Sequence, residues 1–175
     1  DFIIVVGGDG TILKTGMLMR EPETPILGVN LGRRGFLTEA SPSDVHEALD
    51  RALKGDYRLE ECFKLSSRCP ELDETFPDSM NEVLVASSLP SKVIDMSLSI
   101  DEEHLIDIQA DGVIIATSTG STAYSLSAGG SILSPEVQAM IITAICPDSY
   151  FRSIVIPLSS SVKIKLKKPK VNALA

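Results

Sequence analysis

Phe2-Ile3-Ile4-Val5-Val6-Gly7-Gly8-Asp9-Gly10-Thr11 sets the fold class. Five apolar residues in an unbroken run, closed by glycines, predict a strand buried on both faces of a parallel sheet. Beyond the glycine turn, Ile12, Leu13, Met17 and Met19 predict a short helix over Thr11 to Arg20, with Gly16 as its weak point. Glu21 to Pro25 ends that helix, and Ile26-Leu27-Gly28-Val29-Asn30 reads as the next buried strand. A Gly-rich loop follows from Asn30 to Glu39, carrying Arg33, Arg34 and Phe36. Then comes a helix with Ser41 as N-cap, Pro42 at its first position and Asp44 at capping-box spacing. Val45, Ala48, Leu49, Ala52 and Leu53 form its apolar face, and Gly55 closes it. Strand, turn, helix, strand, loop and helix make residues 1–56 an α/β unit with a Rossmann-like parallel sheet.

After Gly55 the pattern changes. Tyr57, Leu59, Glu61, Phe63 and Leu65 alternate with polar neighbours, as a half-exposed antiparallel strand does. Met80 to Ala86, Val93 to Ile100, Leu105 to Ala116 and Ser153 to Pro157 read the same way. Asp101-Glu102-Glu103 marks a hairpin turn, and a short helix is expected near Ser121 to Gly129. Val162, Ile164 and Leu166 alternate with lysines; Lys163, Lys165, Lys167, Lys168 and Lys170 read as the wet face of an edge strand. Residues 57–175 therefore read as a β-rich domain. His46 and His104 read as solvated.

Composition narrows the function. A chain of 175 residues with 43% apolar and 23% charged residues folds rather than staying disordered. Its net charge of −8 argues against a general nucleic-acid binder, although backbone amides can still bind phosphate locally. Cys62, Cys69 and Cys146 show no metal-ligand spacing and cannot form a disulfide framework, so a reducing, cytoplasmic setting is expected. The apolar runs are too short to span a membrane. Opening directly on a strand, the chain reads as part of something longer.

Three stretches carry chemistry. In Gly7-Gly8-Asp9-Gly10 the glycines let the backbone approach a ligand, and the helix start offers amides and positive potential to a phosphate. Asp9 opposes an anion unless it holds Mg²⁺ or takes a hydroxyl proton; the plainer alternative is that it caps the helix. No Gly-Lys-Ser/Thr follows, so this is not a Walker loop. Asn81-Glu82 suits a vicinal diol, with Glu accepting and Asn doing both, or else is an exposed polar pair. Asp111 to Gly130 runs from a buried strand into a turn of small hydroxyl residues, Thr117-Ser118-Thr119-Gly120-Ser121-Thr122-Ala123-Tyr124-Ser125-Leu126-Ser127. Such a turn holds a polar planar ligand close to backbone, or is simply a Ser/Thr-rich loop. Nothing nearby would activate Ser121 or Ser125 as a nucleophile.

In this order, these stretches resemble the NAD kinase family, from Phe2 to about Leu166. The Gly-Gly-Asp-Gly loop alone is shared with lipid kinases of the sphingosine and diacylglycerol type and with 6-phosphofructokinases; the Thr-Gly-Ser-Thr-Ala-Tyr-Ser-Leu-Ser-Ala-Gly-Gly stretch is far more specific. The resemblance implies the later part of an α/β domain, a β-sandwich-like second domain, and phosphoryl transfer from ATP or polyphosphate, with Mg²⁺, to the adenosine ribose 2′-hydroxyl of NAD. It implies that Asp9, flanked by Gly8 and Gly10, acts on that hydroxyl. Asn81 and Glu82 would hold the ribose, and Thr119, Thr122, Ala123 and Tyr124 would line the adenine and ribose pocket. Asp111 and Ser127 would face the nicotinamide half by way of a subunit interface, the family being oligomeric, and Phe36 would flank the substrate. Arg34, Ser118, Ser131, Ala144 and Asp148 depart from the family's usual residues. A lipid kinase with the same loop and a silent nucleotide-binding module are the alternatives.

Overall fold

The computed structural model describes all residues except Arg20, Pro22, Arg33, Arg34, Pro90, Ser91, 168–172 and Ala175, with Ala173 and Leu174 described by backbone alone. Arg33, Arg34, Lys168 and Lys170, singled out above, lie outside the described residues. The chain divides into two compact units, Asp1–Glu61 and Cys62–Ala175.

In the first unit β1 (Ile3–Val6) pairs in parallel with β2 (Ile26–Val29), and α1 (Asp9–Leu18) is the crossover between them. The helix starts two residues earlier than the apolar spacing predicts, because the carbonyl of Gly8 already accepts from the amides of Thr11 and Ile12 at 2.9 and 3.3 Å. Gly16 is not a defect: with Ile12 it forms the buried side of α1. A side chain on Gly28 would come within 2.6 Å of Ile12 Cδ1 and 3.0 Å of the Leu37 carbonyl, so β2 carries glycine where helix and loop both close on it. Val5 and Val29 are buried, whereas Ile4 and Val6 are about half exposed. The expectation of a strand covered on both faces is therefore met on only one face within this unit.

α2 spans Val45–Leu53 and begins after the predicted cap. The Ser41 amide and hydroxyl both donate to Asp44 Oδ1, so the capping chemistry is used in a turn ahead of the helix. Its C-terminus ends as expected. Gly55 has φ +74°, its amide reaches the Ala52 carbonyl at 3.1 Å, and the Asp56 amide reaches Arg51 at 2.9 Å. That pair of bonds is a Schellman cap, braced by an Arg51–Asp56 ion pair. Gly55→Ala is expected to cost about 1 kcal/mol, seen as a lower urea midpoint with unchanged slope, because alanine is strained at positive φ.

From the end of the first unit into the second, the alternation over Tyr57 to Leu65 does not make a strand; Tyr57 and Leu59 are exposed and pairing begins only at β3 (Leu65–Cys69). A strand needs a partner, and the partner β4 (Glu74–Ser79) pairs from Leu65 onward. Sequence periodicity gives no sign of β4, whose Glu74, Asp78 and Pro77 interrupt any alternation.

Two antiparallel sheets make the rest. β5 (Glu82–Ser87), β8 (Gly112–Thr117), β9 (Ala139–Ile145), β10 (Ile154–Pro157) and β12 (Ala173–Leu174) form one, in the order β10-β9-β8-β5-β12. β6 (Ile94–Ile100), β7 (Glu103–Ala110) and β11 (Val162–Leu166) form the other, in the order β11-β6-β7. The single strand expected over Leu105 to Ala116 is thus two, in different sheets, parted at Asp111. Gly112 then restarts the chain so close to β5 that a Cβ would sit 2.7 Å from the Val85 carbonyl. Met96, Leu98, Ile108 and Ala110 pack with Val113, Ile115, Met140 and Ile142 in one core. Ile114, Ala116 and Ile141, facing the other way, pack with Leu84, Ala128 and Leu133. Covered on both sides, β8 and β9 are apolar throughout except for Thr117 and Thr143. Asp101 and Glu102, at φ 49° and 67°, make the expected β6–β7 hairpin turn, and β11 is the expected lysine-bearing edge. The expected class, an α/β part with a parallel sheet followed by a β-rich sandwich, is what the chain adopts.

Candidate functional site

The site residues fall into two groups, one in each unit. In the first, Asp9 and Gly10 open α1, so their N–H groups have no intrahelical acceptor. Gly8 and Gly10 would meet nothing within 4 Å if they carried a Cβ, so the protein's own packing leaves their side-chain space open. Asp9 does not cap the helix. Its Oδ2 accepts from the Phe36 amide at 2.8 Å and its Oδ1 from the Leu37 amide at 3.1 Å, which fastens the Gly-rich loop to the start of α1. Gly35 lies directly against that carboxylate. The Phe36 ring, held by the same loop, is 82% exposed.

The loop is fixed at its other end as well. The Asn30 side chain accepts from the Gly32 amide at 2.7 Å, and Glu39 accepts from the Gly28 amide of β2 at 3.1 Å. Burial pushes the Glu39 carboxyl above its ordinary value; its bonds to backbone oppose that shift, and Glu60 and Asp9 add repulsion. Glu39 was not among the sequence candidates, since one carboxylate after a loop carries no signal of its own.

In the second unit the hydroxyl-rich turn lies on the Asn81 backbone. The Thr117 amide donates to the Asn81 carbonyl at 2.8 Å, and the Thr117 hydroxyl donates to the Met80 carbonyl at 2.6 Å. Gly120 follows so closely that a Cβ there would sit 2.0 Å from the Asn81 oxygen. Thr119–Thr122 form a 3-10 turn and α3 is the single helical turn Tyr124–Ser127. Ser118, Ser121 and Ser125 are buried structural groups: Ser121 Oγ donates to the Ser118 carbonyl at 2.6 Å and accepts from the Leu133 amide at 2.9 Å, and Ser125 Oγ meets Thr143 Oγ1 at 2.8 Å. Neither serine is poised as a nucleophile. Thr119, Thr122 and Ala123 are partly open, and Tyr124 and Ser127 are exposed.

Glu82 begins β5 opposite Ala116. It is half-buried, its Oε2 is buried without a hydrogen-bond partner, and desolvation raises its carboxyl above the ordinary value near 4.5. A carboxylate in that state is short of donors, which a ligand hydroxyl would supply. Because the folded-state pKa is raised, the stability linked to Glu82 is fully present below the unfolded value and is lost as pH rises through the folded one. Glu82→Gln is therefore expected to raise the urea midpoint at neutral pH, and the gap to wild type should close by about pH 4.

Asn81, Glu82, Thr119, Thr122 and Ala123 are thus gathered by one strand end and one turn. Asp111 is not: it lies exposed before β8, six residues and roughly 20 Å along the strand from Thr117. Ser118 donates to the Pro135 carbonyl at 3.3 Å, Ala144 packs in the core, and Ser131 and Asp148 are exposed. His46 and His104 are exposed.

Residues 1–57 match the profile of the ATP-NAD kinase N-terminal domain and residues 80–175 that of the ATP-NAD kinase C-terminal domain. The chain is 48% identical to an NAD kinase of Methanopyrus kandleri over 97% of its own length and 61% of that protein. Solved structures are similar as well, among them two ligand complexes. One is an NAD kinase from Archaeoglobus fulgidus in complex with ATP, with TM-score 0.83 and 36% identity, covering 100% of this chain and 68% of the other. The other is yeast NADH kinase complexed with NADH, with TM-score 0.85 and 33% identity, covering 99% and 52%. The chain spans about three fifths or less of the length of the curated relatives it matches, 61% of two NAD kinases and 30% of a bifunctional NADP phosphatase/NAD kinase of Methanocaldococcus jannaschii.

Proposed function

The chain belongs to the NAD kinase family, and from that premise we propose that the full-length protein transfers a phosphoryl group from ATP or polyphosphate to the adenosine ribose 2′-hydroxyl of NAD, giving NADP. The observation that carries this reading is the pairing of a donor-poor, half-buried Glu82 with Asn81 beneath the open Thr119–Ala123 turn, a set suited to a vicinal diol lying against a planar base. Asp9 is the group that would orient the hydroxyl and take its proton, and the free amides at the start of α1 suit the transferred phosphates. Gly8 and Gly10 would leave the phosphates room, and Phe36 would flank the substrate.

Among the described residues no group of three or more His, Cys, Asp or Glu is arranged so that it could hold a metal ion. Mg²⁺ commonly binds through one or two carboxylates together with substrate phosphates; with Asp9 kept for the hydroxyl proton, the cation would arrive with the donor, held by its phosphates, and neutralise its charge. Residues 1–56 and 57–175 are, in this reading, the family's two domains. Asp111 and Ser127 would serve the nicotinamide half from a neighbouring copy, which requires a homo-oligomer. No helix among the described residues is long and apolar enough to cross a membrane; a cytoplasmic enzyme is part of the proposal. The test is NADP formation by the full-length protein with NAD, Mg²⁺ and either donor. NAD binding without NADP from any donor would instead favour a silent nucleotide-binding module.

A further inference from the structure

Thr117 has a fully buried side chain between the two halves of the second-unit site. Its one hydroxyl makes two bonds, donating to the Met80 carbonyl at 2.6 Å and accepting from the Gly120 amide at 2.9 Å. One bond reaches the residue before Asn81, and the other reaches into the turn that bears Thr119 and Thr122. The Thr117 amide adds a third bond, to the Asn81 carbonyl at 2.8 Å. Gly120, without a side chain, allows the turn to rest on the Asn81 backbone at a distance no other residue permits.

We propose that Thr117 is a positioning residue whose hydroxyl sets the separation between the Asn81–Glu82 pair and the Thr119–Ala123 turn, and so fixes the width of the slot for the ribose and base of a dinucleotide. The inference rests on the functional reading above and deepens it. A hydroxyl is required rather than a threonine-shaped filler. Valine has nearly the same volume but can neither satisfy the Met80 carbonyl nor receive the Gly120 amide, leaving both buried polar groups unpaired. Serine keeps both bonds and loses only a methyl.

The experiment compares wild type, Thr117→Val and Thr117→Ser in the full-length protein. Thr117→Val is expected to weaken NAD binding by calorimetry, and to raise KM for NAD, by about tenfold or more, since the displaced turn no longer matches its ligand. KM for ATP should stay within about twofold, and Thr117→Ser should restore NAD binding to within about threefold of wild type. Amide exchange at Gly120 needs no substrate and should accelerate by about tenfold in Thr117→Val but not in Thr117→Ser. A lowered melting temperature with unchanged NAD binding would overturn the proposal, as would equal damage from valine and serine. If wild type binds no NAD, the functional reading falls by itself, and the hydroxyl bridge stands or falls on the Gly120 exchange rate. Should Thr117→Val not fold, Thr117→Ala reads the same quantities.

Discussion

Asp9→Asn is expected to reduce NADP formation by the full-length protein by about hundredfold or more, with NAD affinity held within about threefold. A ribose hydroxyl is a weak nucleophile, so alignment and late proton removal are what a carboxylate contributes, and both matter in the transition state more than in the bound complex. Asn keeps the shape but cannot take the proton. It also offers only one acceptor where two amides, from Phe36 and Leu37, now find one each, so a part of any loss is structural, about 1–3 kcal/mol for a donor left unpaired. The two contributions separate kinetically. A chemical role lowers kcat with KM for NAD preserved, whereas a displaced loop alters KM and the urea midpoint as well. Turnover near that of wild type would remove Asp9 from the mechanism.

How much of this was readable beforehand depended on how local each determinant is. The strand–turn–helix around Gly7 to Thr11 and the Schellman end at Gly55 depend on residues within a few positions of one another, and both were legible. Pairing at a distance was not. Nothing near Asp111 says that the chain changes sheets there, because the reason is the closeness of Gly112 to Val85 on another strand. β9 was overlooked although Ala139 to Ile145 is apolar but for Thr143, close to the pattern that marked β1. The site residues came from a residue-type pattern, which named Asp9, Asn81 and Glu82. It could not supply their supports. The bonds to Asp9 come from backbone amides 27 and 28 positions away, and amides carry no residue signature. Thr117 and Ser121 stood in the same hydroxyl-rich stretch as Thr122, yet only burial separates those that hold the turn from those left open to a ligand.

Gly35→Ala is expected to approach Asp9→Asn in its effect, lowering turnover by about tenfold to hundredfold and, through the lost loop bonds, the melting temperature by a few degrees. An alanine Cβ at that position would lie 2.1 Å from Asp9 Oδ1 and 2.3 Å from its Oδ2 and Cγ, so one of them has to move. The nearest atoms belong to the end of a side chain rather than to backbone. The carboxylate therefore swings away, the loop gives up its amide bonds to it, and the core of the unit is left untouched. A group held about 1 Å from its productive position can forfeit about a hundredfold in rate. Gly10→Ala is the matching control, since its Cβ would meet nothing within 4 Å. It should leave stability unchanged and act only on the KM of the phosphoryl donor, where the open space is used. If Gly35→Ala turns over like wild type, the loop is not what places Asp9. If Gly10→Ala leaves the donor's KM unchanged, the phosphates do not lie against the start of α1.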